Sequence, residues 1–495
     1  MTTRLTWSKI ANAAYMSVLV LVVVIGPLGL AAVTALRDPG ALAVMQSDSM
    51  TVIVGAVSGA LLLLAFGFGQ VRGPAMLDSF AVDVVVQGPR SRRGTLGRPF
   101  LVAAGLLTVF VGVLGALPLV ILWLEDAVAV RSVVAFTSVS ILVGVITSVT
   151  WLAGQVVSRR KHAAIVVVGG AVYLVYLLVE PVRPVIAWHW VAAGWPGDDG
   201  PGALAFVLLA AVAAAGVVAV PRLLDTIRYR DLREQAQTLS TAGSWALTGD
   251  LAGATAVFRA PPAVGRNWRT PRHLPKGARW LWRDVLAMSR NPARLLRGVT
   301  SVGGCVLVLA QVDSVPSSIQ PALVVLAVVL GYSGMTVFGD GFRLAADSAP
   351  RPRLVRYTVG HRLALHSMAP LSVCVVLSAM VAAGTGMSDR LSLPGAALAL
   401  ESVVIILIST AYAAGKGPMP VSLLMPVPTP FGDASALAMF AWQFDGLILS
   451  AATVGACVYL FVTTGLGASF VAFVAALLVI GYWARRRYRA LSTPG

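Results

Sequence analysis

Long apolar stretches that exclude charged side chains are the feature that most limits what this chain can become. A helix needs about 20 apolar residues to cross a bilayer. Only 12% of the 495 residues are charged and 57% are hydrophobic, whereas a soluble domain is roughly a quarter charged. We therefore expect an all-α polytopic membrane protein with about twelve spans. They cover residues 13–35, 51–70, 99–124, 132–156, 163–179, 203–221, 299–313, 317–338, 365–386, 395–415, 436–463 and 467–484.

Three of these stretches carry a further expectation. The first is long enough to be a retained span, so no cleavable signal peptide is expected. The seventh is short for a span, and the eleventh is long enough to contain an interfacial turn at its start.

The basic residues predict how the spans are oriented. If the N-terminus lies inside and the spans alternate, only four of the 38 Lys and Arg residues fall outside, and the other 34 fall inside. Such a bias follows the positive-inside rule. We expect both termini in the cytoplasm and the protein in the cytoplasmic (inner) membrane. The net charge of +17 then reflects topology and contact with anionic membrane lipids, and no nucleic-acid partner is expected. The four outside residues are Arg37, Arg131, Arg183 and Arg390.

Loop spacing divides the chain into two six-helix halves, 1–221 and 298–495, joined by a basic cytoplasmic linker at 222–297. Each half has a long basic inside loop after its second span, at 71–98 and at 339–364. This layout is typical of a parallel duplication.

The end of the linker, ARWLWRDVLAMSRNPARLLR (278–297), predicts an amphipathic interfacial elbow helix. Helical spacing groups Trp280 with Leu281, Val285 and Met288 on one face and places Asp284 on another. Tryptophan anchors with arginine flanks suit a helix that lies in the inner membrane interface. Pro292 then bends or breaks the chain before the seventh span. The anchors and flanking arginines are Trp280, Trp282, Arg283 and Arg290.

Two acids fall inside predicted spans, Glu401 in the tenth and Asp445 in the eleventh. Because a charge at the bilayer centre costs about 2.5–3.5 kcal/mol on insertion scales, such acids usually have a function, for example in proton or cation coupling. A second interpretation of Glu401 is that it faces an outer cavity. For Asp445 the alternative is a position at the inner interface, because the residues after it could span alone.

Motifs for chemistry are missing from the sequence. It holds no Walker A loop, HExxH, GxSxG or paired Cys/His set, so we expect no catalytic, cofactor or metal site and no enzyme activity in this chain. His189 falls outside, near Asp198 and Asp199 in the 180–202 loop, where a catalytic or metal role is conceivable. The other histidines lie on the basic inside and are expected to be solvated or lipid-facing. They are His162, His273, His361 and His366.

A basic interfacial helix with an Arg290-Asn291-Pro292 turn, followed by six spans with a long inside loop after the second, resembles the permease of ABC-2-type exporters. The stretches GPAMLDSFAVDVVVQGPRSRRGTLGRP (73–99) and ADSAPRPRLVRYTVGHRL (346–363) are similar in style to that loop in large actinobacterial permease-like proteins with two fused halves. The resemblance implies a separate ATPase subunit, with ATP bound there and not in this chain. It also implies docking helices near Met76–Val86 and Phe342–Tyr357. The candidate docking residues are Met76, Leu77, Phe80, Phe342, Leu344 and Arg353.

Two other classes of function stay open. One is a proton-coupled secondary transporter that uses Glu401 or Asp445. The other is a membrane scaffold or enzyme that uses the outward 180–202 loop. Apolar span linings favour an amphipathic or lipid-like cargo, and assembly into a homo- or hetero-oligomer also stays open.

Overall fold

The computed structural model describes residues 26–492 with internal gaps. The first predicted span therefore lies largely outside the described residues, as do Asp198, Asp199 and Arg353. The gaps are residues 87, 89–90, 197–201, 248–252, 255–256, 259–264, 266, 269, 272, 350–356, 384–391, 418, 426–427, 430–431 and 434.

The described chain is helical, and it divides into two compact units, Met1–Thr241 and Ala242–Gly495. The division falls inside the basic segment 222–297. The helices described in the first unit, the last of which runs a few residues past its end, are α1 (Gly26–Leu36), α2 (Pro39–Met45), α3 (Ser49–Gly69), α4 (Ser79–Val85), α5 (Arg92–Leu124), α6 (Val130–Val156), α7 (Arg159–Leu178), α8 (His189–Ala192), α9 (Gly202–Thr226) and α10 (Tyr229–Leu247).

The second unit is built in the same manner, from long helices and short connecting ones. A two-residue antiparallel ladder pairs β1 (Pro428–Thr429) with β2 (Gly432–Asp433). The helices described in this unit are α11 (Lys276–Ser289), α12 (Pro292–Ala310), α13 (Gln320–Phe338), α14 (Asp340–Asp347), α15 (Val359–Ala383), α16 (Leu393–Ala414), α17 (Ser435–Gln443), α18 (Asp445–Thr464) and α19 (Leu466–Ser492).

Nine of the described helices are long and apolar enough to cross a membrane, namely α3, α5, α6, α9, α13, α15, α16, α18 and α19. Each coincides with a predicted span, so the protein is a multi-pass membrane protein. The fifth predicted span corresponds to α7, whose apolar part Lys161–Leu177 is shorter than these nine. The seventh corresponds to α12, which forms a bent pair with α11 at an angle of 102°.

One helix lies at the centre of each unit. In the first unit, α6 packs against α3, α5 and α9. In the second unit, α16 contacts α12, α13, α15, α18 and α19, and it is the most buried of the nine long helices. Large apolar side chains such as Leu106 and Val109 on α5 point outward, as expected for helices whose solvent is lipid.

Glycines set how closely α3 and α6 approach. A Cβ built on Gly154 would lie 2.1 Å from the Phe66 carbonyl oxygen, and one on Gly69 would lie 2.5 Å from the Trp151 carbonyl oxygen. Because these neighbours are backbone atoms, no side-chain rotation relieves the overlap. Close approach through small residues is the usual way that helices associate in lipid, where apolar burial gives little driving force.

We expect the Gly154→Ala substitution to destabilise the protein by about 1–3 kcal/mol, the usual cost of overpacking a close contact. The added methyl group must push α3 and α6 apart. The measurement is the midpoint of heat-induced loss of monodisperse protein in detergent. Gly67→Ala is the matched control, because nothing lies within 4 Å of a Cβ at that position on α3. Equal loss in both variants would contradict this account of the helix crossing.

Candidate functional site

The short helix α4 lies between the long helices α3 and α5 of the first unit. Asp78 caps it by accepting a hydrogen bond from the Ala81 amide at 2.7 Å. Of the candidate docking residues, Met76 and Leu77 pack partly buried against the core at this end of the unit. Phe80 is 76% exposed, so a large apolar side chain stands at the surface.

Asp83 ties α4 to α10. The Tyr229 hydroxyl donates to Asp83 Oδ1 at 2.6 Å, and the Arg233 guanidinium lies 3.2 Å from the same oxygen. These neighbours show that α4 has polar and charged contacts on one side, while Val82 packs into the apolar core on the other.

A network of three glutamines holds the segment between α3 and α4, and sequence reasoning missed it. The buried Gln155 amide accepts from the Ala75 amide at 3.3 Å and donates to Gln235 Oε1 at 3.1 Å. Gln235 in turn donates to the Gly69 and Gln70 carbonyls at 3.1 and 3.0 Å. Satisfied buried polar networks of this kind rigidify a structure. The partners come from distant parts of the chain, so no local pattern marks them.

In the second unit, α14 occupies the place that α4 has in the first. Phe342 is only 2% exposed and belongs to the core of the unit, so its side chain does not lie on the surface where a partner would dock. Leu344 is 54% exposed and is the large apolar residue that α14 presents. The Tyr488 hydroxyl donates to the Phe342 carbonyl at 3.0 Å, and Asp340 pairs with Arg294 of α12.

The amphipathic helix α11 forms where the sequence predicts it, and the chain breaks before Pro292. Trp280 packs edge-on against His366 with ring centroids 5.2 Å apart, and the Arg283 guanidinium lies 4.2 Å from the Trp280 ring centre. Trp282 is 42% exposed. Arg290 donates to the Trp268 carbonyl at 3.2 Å.

The inward face of α11 differs from the predicted one. Asp284 points towards α15, where His366 Nδ1 lies 2.8 Å from Asp284 Oδ2 and the His366 side chain is only 2% exposed. His366 was expected to be solvated or lipid-facing, and that expectation is wrong. Val285, expected on the apolar face, is 42% exposed, while Leu286 is buried. The face of α11 that packs against the protein therefore includes the charged residue Asp284. A hydrophobicity pattern assigns such a residue to the solvent-facing side of the helix.

Asp445 is the first residue of α18, at the break that separates α18 from α17. Its two carboxylate oxygens lie 3.3 Å from Lys416 Nζ and 2.8 Å from the Arg487 guanidinium. Burial lowers the pKa of Lys416, and the Asp445 carboxylate partly opposes that shift. Arg487 also stacks 3.6 Å from the Tyr412 ring centre. Asp445 is thus a member of a charge cluster at a helix end.

Glu401 lies inside α16, about 12 Å along the helix axis from Leu393 at 1.5 Å per residue. Its side chain is buried, and the Ser469 hydroxyl donates to Oε2 at 2.8 Å. Within the part of the chain that the structure describes, no basic side chain forms an ion pair with it. The two predicted membrane acids therefore have different surroundings.

His189 lies in the first unit beside α7. Its Nδ1 is 3.3 Å from the hydroxyl of the buried Tyr176. No group of three or more His, Cys, Asp or Glu side chains suited to a metal occurs among the described residues.

We expect Asp284→Ala to lower the free energy of unfolding by about 1–3 kcal/mol, the usual cost of leaving a buried hydrogen-bonding group such as His366 without its partner. Asp347→Ala, at an exposed position on α14, should have little effect. The measurement is again the thermal midpoint in detergent. Replacing both partners, in Asp284→Leu with His366→Leu, should recover most of the loss, since neither group is then left unpaired. A double variant as unstable as Asp284→Ala would show that packing, and not this pair, anchors α11.

Comparison with known proteins does not assign this chain to a family. No model of a protein family, no curated protein and no solved structure matches this chain.

Proposed function

We propose that this chain is the membrane-spanning permease of an exporter in the cytoplasmic membrane, driven by a separate ATPase subunit. The observation that carries the proposal is a repeated arrangement. In each unit a short helix, α4 or α14, follows the first of the nine long helices in that unit, α3 or α13, buries one face in its unit and exposes a large apolar residue. The two exposed residues are Phe80 and Leu344, and both helices carry acidic residues that pair with neighbouring basic ones.

Exposed apolar side chains on a charged end of a membrane protein favour contact with another protein. Lipid tails do not cover them there, and water solvates them poorly. The sequence holds no Walker A loop, so in this proposal the energy comes from nucleotide-driven subunits that dock on each of the two helices.

The contacts that hold α4 and α14 in their units support transmission of movement from these short helices to the long helices. The glutamine network and the pair of Asp83 with Arg233 couple the α4 region to α3, α6 and α10. Phe342 is inserted into the core of its unit, and its carbonyl accepts from Tyr488 of α19. A displacement of either short helix would therefore move long helices as rigid bodies, the usual form of such transitions.

The alternative of a proton-coupled transporter now concerns Glu401 more than Asp445. The carboxylate of Asp445 is already paired with two basic side chains of its own unit, Lys416 and Arg487. Glu401 has no such partner among the described residues, so it stays the candidate for coupling.

We expect the affinity-purified full chain, taken in mild detergent from membranes of its native host, to retain an ATPase subunit and to hydrolyse ATP. The double variant Phe80→Ser with Leu344→Ser should lose at least about tenfold of the bound ATPase, since each buried anchor is worth 1.4 kcal/mol or more at an interface. Leu437→Ser, at an exposed position on α17, is the matched control and should retain it. Recovery of no ATPase after chemical cross-linking in the membrane would contradict the proposal.

The alternative has its own signature. Transport that stops on addition of an uncoupler at constant ATP, and that is abolished by Glu401→Gln, would point to proton coupling. An exporter driven by ATP should continue under the uncoupler.

A further inference from the structure

A groove between α15, α16 and α19 in the second unit has a volume of about 570 Å³. This volume lies within the range of about 300–1,000 Å³ typical of small-molecule sites. Its walls are apolar, with Leu371 and Val375 from α15, Val404 from α16, and Phe470 and Phe473 from α19. Of the described residues that line it, Glu401 is the one that carries a charge.

The carboxyl group of Glu401 has too few partners for its surroundings. Ser469 is the one described residue that donates a hydrogen bond to it, and it reaches Oε2 only. A carboxylate in an apolar environment is costly unless a cation or several hydrogen bonds compensate it. Asp445, in the same unit, by contrast has two basic side chains within 3.3 Å of its carboxylate. Among the described residues, no basic side chain takes that place beside Glu401.

The aromatic residues of the groove suit the same kind of ligand. Phe470 and Phe473 have ring centroids 5.9 Å apart, on the α19 wall of the groove. The faces of aromatic rings attract ammonium groups, more strongly where water is excluded. Carboxyl, rings and apolar wall together complement a molecule with one cationic end and one hydrocarbon end.

We propose that this groove binds a single-chain amphiphile with a primary amine head, whose ammonium group pairs with Glu401 while its alkyl chain lies along the apolar wall. As a binding site the groove stands on its own geometry. That the amphiphile is the exported cargo rests on the proposed function.

The test uses the full chain in nanodiscs of phosphatidylcholine and phosphatidylglycerol, with a long-chain primary amine that carries a photoreactive diazirine. We expect saturable labelling that maps to α16 and α19. Unlabelled dodecylamine should compete, and dodecanol, which has the same chain without the charge, should not.

Three variants give the sharpest comparison. Glu401→Gln keeps the shape of the side chain and should weaken amine binding at least about tenfold, because the charged partner is removed. Gly467→Phe should block labelling, since Gly467 lines the groove and nothing lies within 4 Å of a Cβ there. Gly481→Phe, equally open on α19, is the matched control and should label as the unmodified chain does.

Three outcomes would overturn the proposal. Competition by dodecanol as strong as by dodecylamine, or unchanged affinity in Glu401→Gln, would show that the carboxyl group does not recognise the amine. Competition by phosphatidylethanolamine added to the nanodiscs would reassign the groove to a bilayer lipid. Labelling of the groove without a co-purified ATPase would support the amine site and contradict the proposed exporter. A bound ATPase without labelling would support the exporter and contradict the amine site.

Discussion

Lipid as the solvent is the constraint on which the rest of this structure depends. In hydrocarbon every backbone amide and carbonyl must be satisfied within the chain, so only helices and closed barrels can cross. The described part of the chain is helical, with nine long apolar helices in two compact units. Apart from Glu401, charged groups in the long helices then lie near the helix ends, and the short helices between them also carry charges that can pair. Asp83 with Arg233 and Asp445 with Lys416 and Arg487 are examples.

The same solvent decides what holds each unit together. Because lipid tails are as apolar as leucine, side-chain burial alone gives helices little reason to associate. Close backbone approach and buried hydrogen bonds take its place. Gly69 and Gly154 allow the first, where α3 crosses α6. Gln155 and Gln235 supply the second at the end of the same helices. Both the close backbone contacts and the buried hydrogen bonds of the first unit therefore lie near the end of α3, just before α4 begins.

Hydropathy alone predicted much of this fold, since a span is a local property of about 20 residues. The break before Pro292 and the turn at Phe444 were also predictable, because proline and chain length act locally. Positions that depend on contacts between distant residues were not. Asp284 and His366 are 82 residues apart, and a charged residue on an amphipathic helix is assigned outward unless its partner is known.

Phe342 illustrates the same limit within a single short helix. In an eight-residue amphipathic helix, a large apolar side chain can face the protein core or a partner, and the helical pattern is identical in both cases. The structure buries Phe342 and exposes Leu344 two residues later. The candidate docking surface of this unit thus rests on Leu344, while Phe342 connects that surface to the core.

Glu401 and Asp445 show that depth and partners, not residue type, decide what a membrane acid can do. Lys416, a partner of Asp445, follows α16, roughly 20 Å along the helix axis from Glu401 at 1.5 Å per residue. At the helix end, two cations neutralise Asp445, and its charge serves to join α16, α18 and α19. Inside the span, Glu401 has one hydroxyl partner and an apolar groove beside it. An acid that stabilises a fold has its countercharge in the protein, and Glu401, which has none in the described chain, is suited to accept one from a ligand.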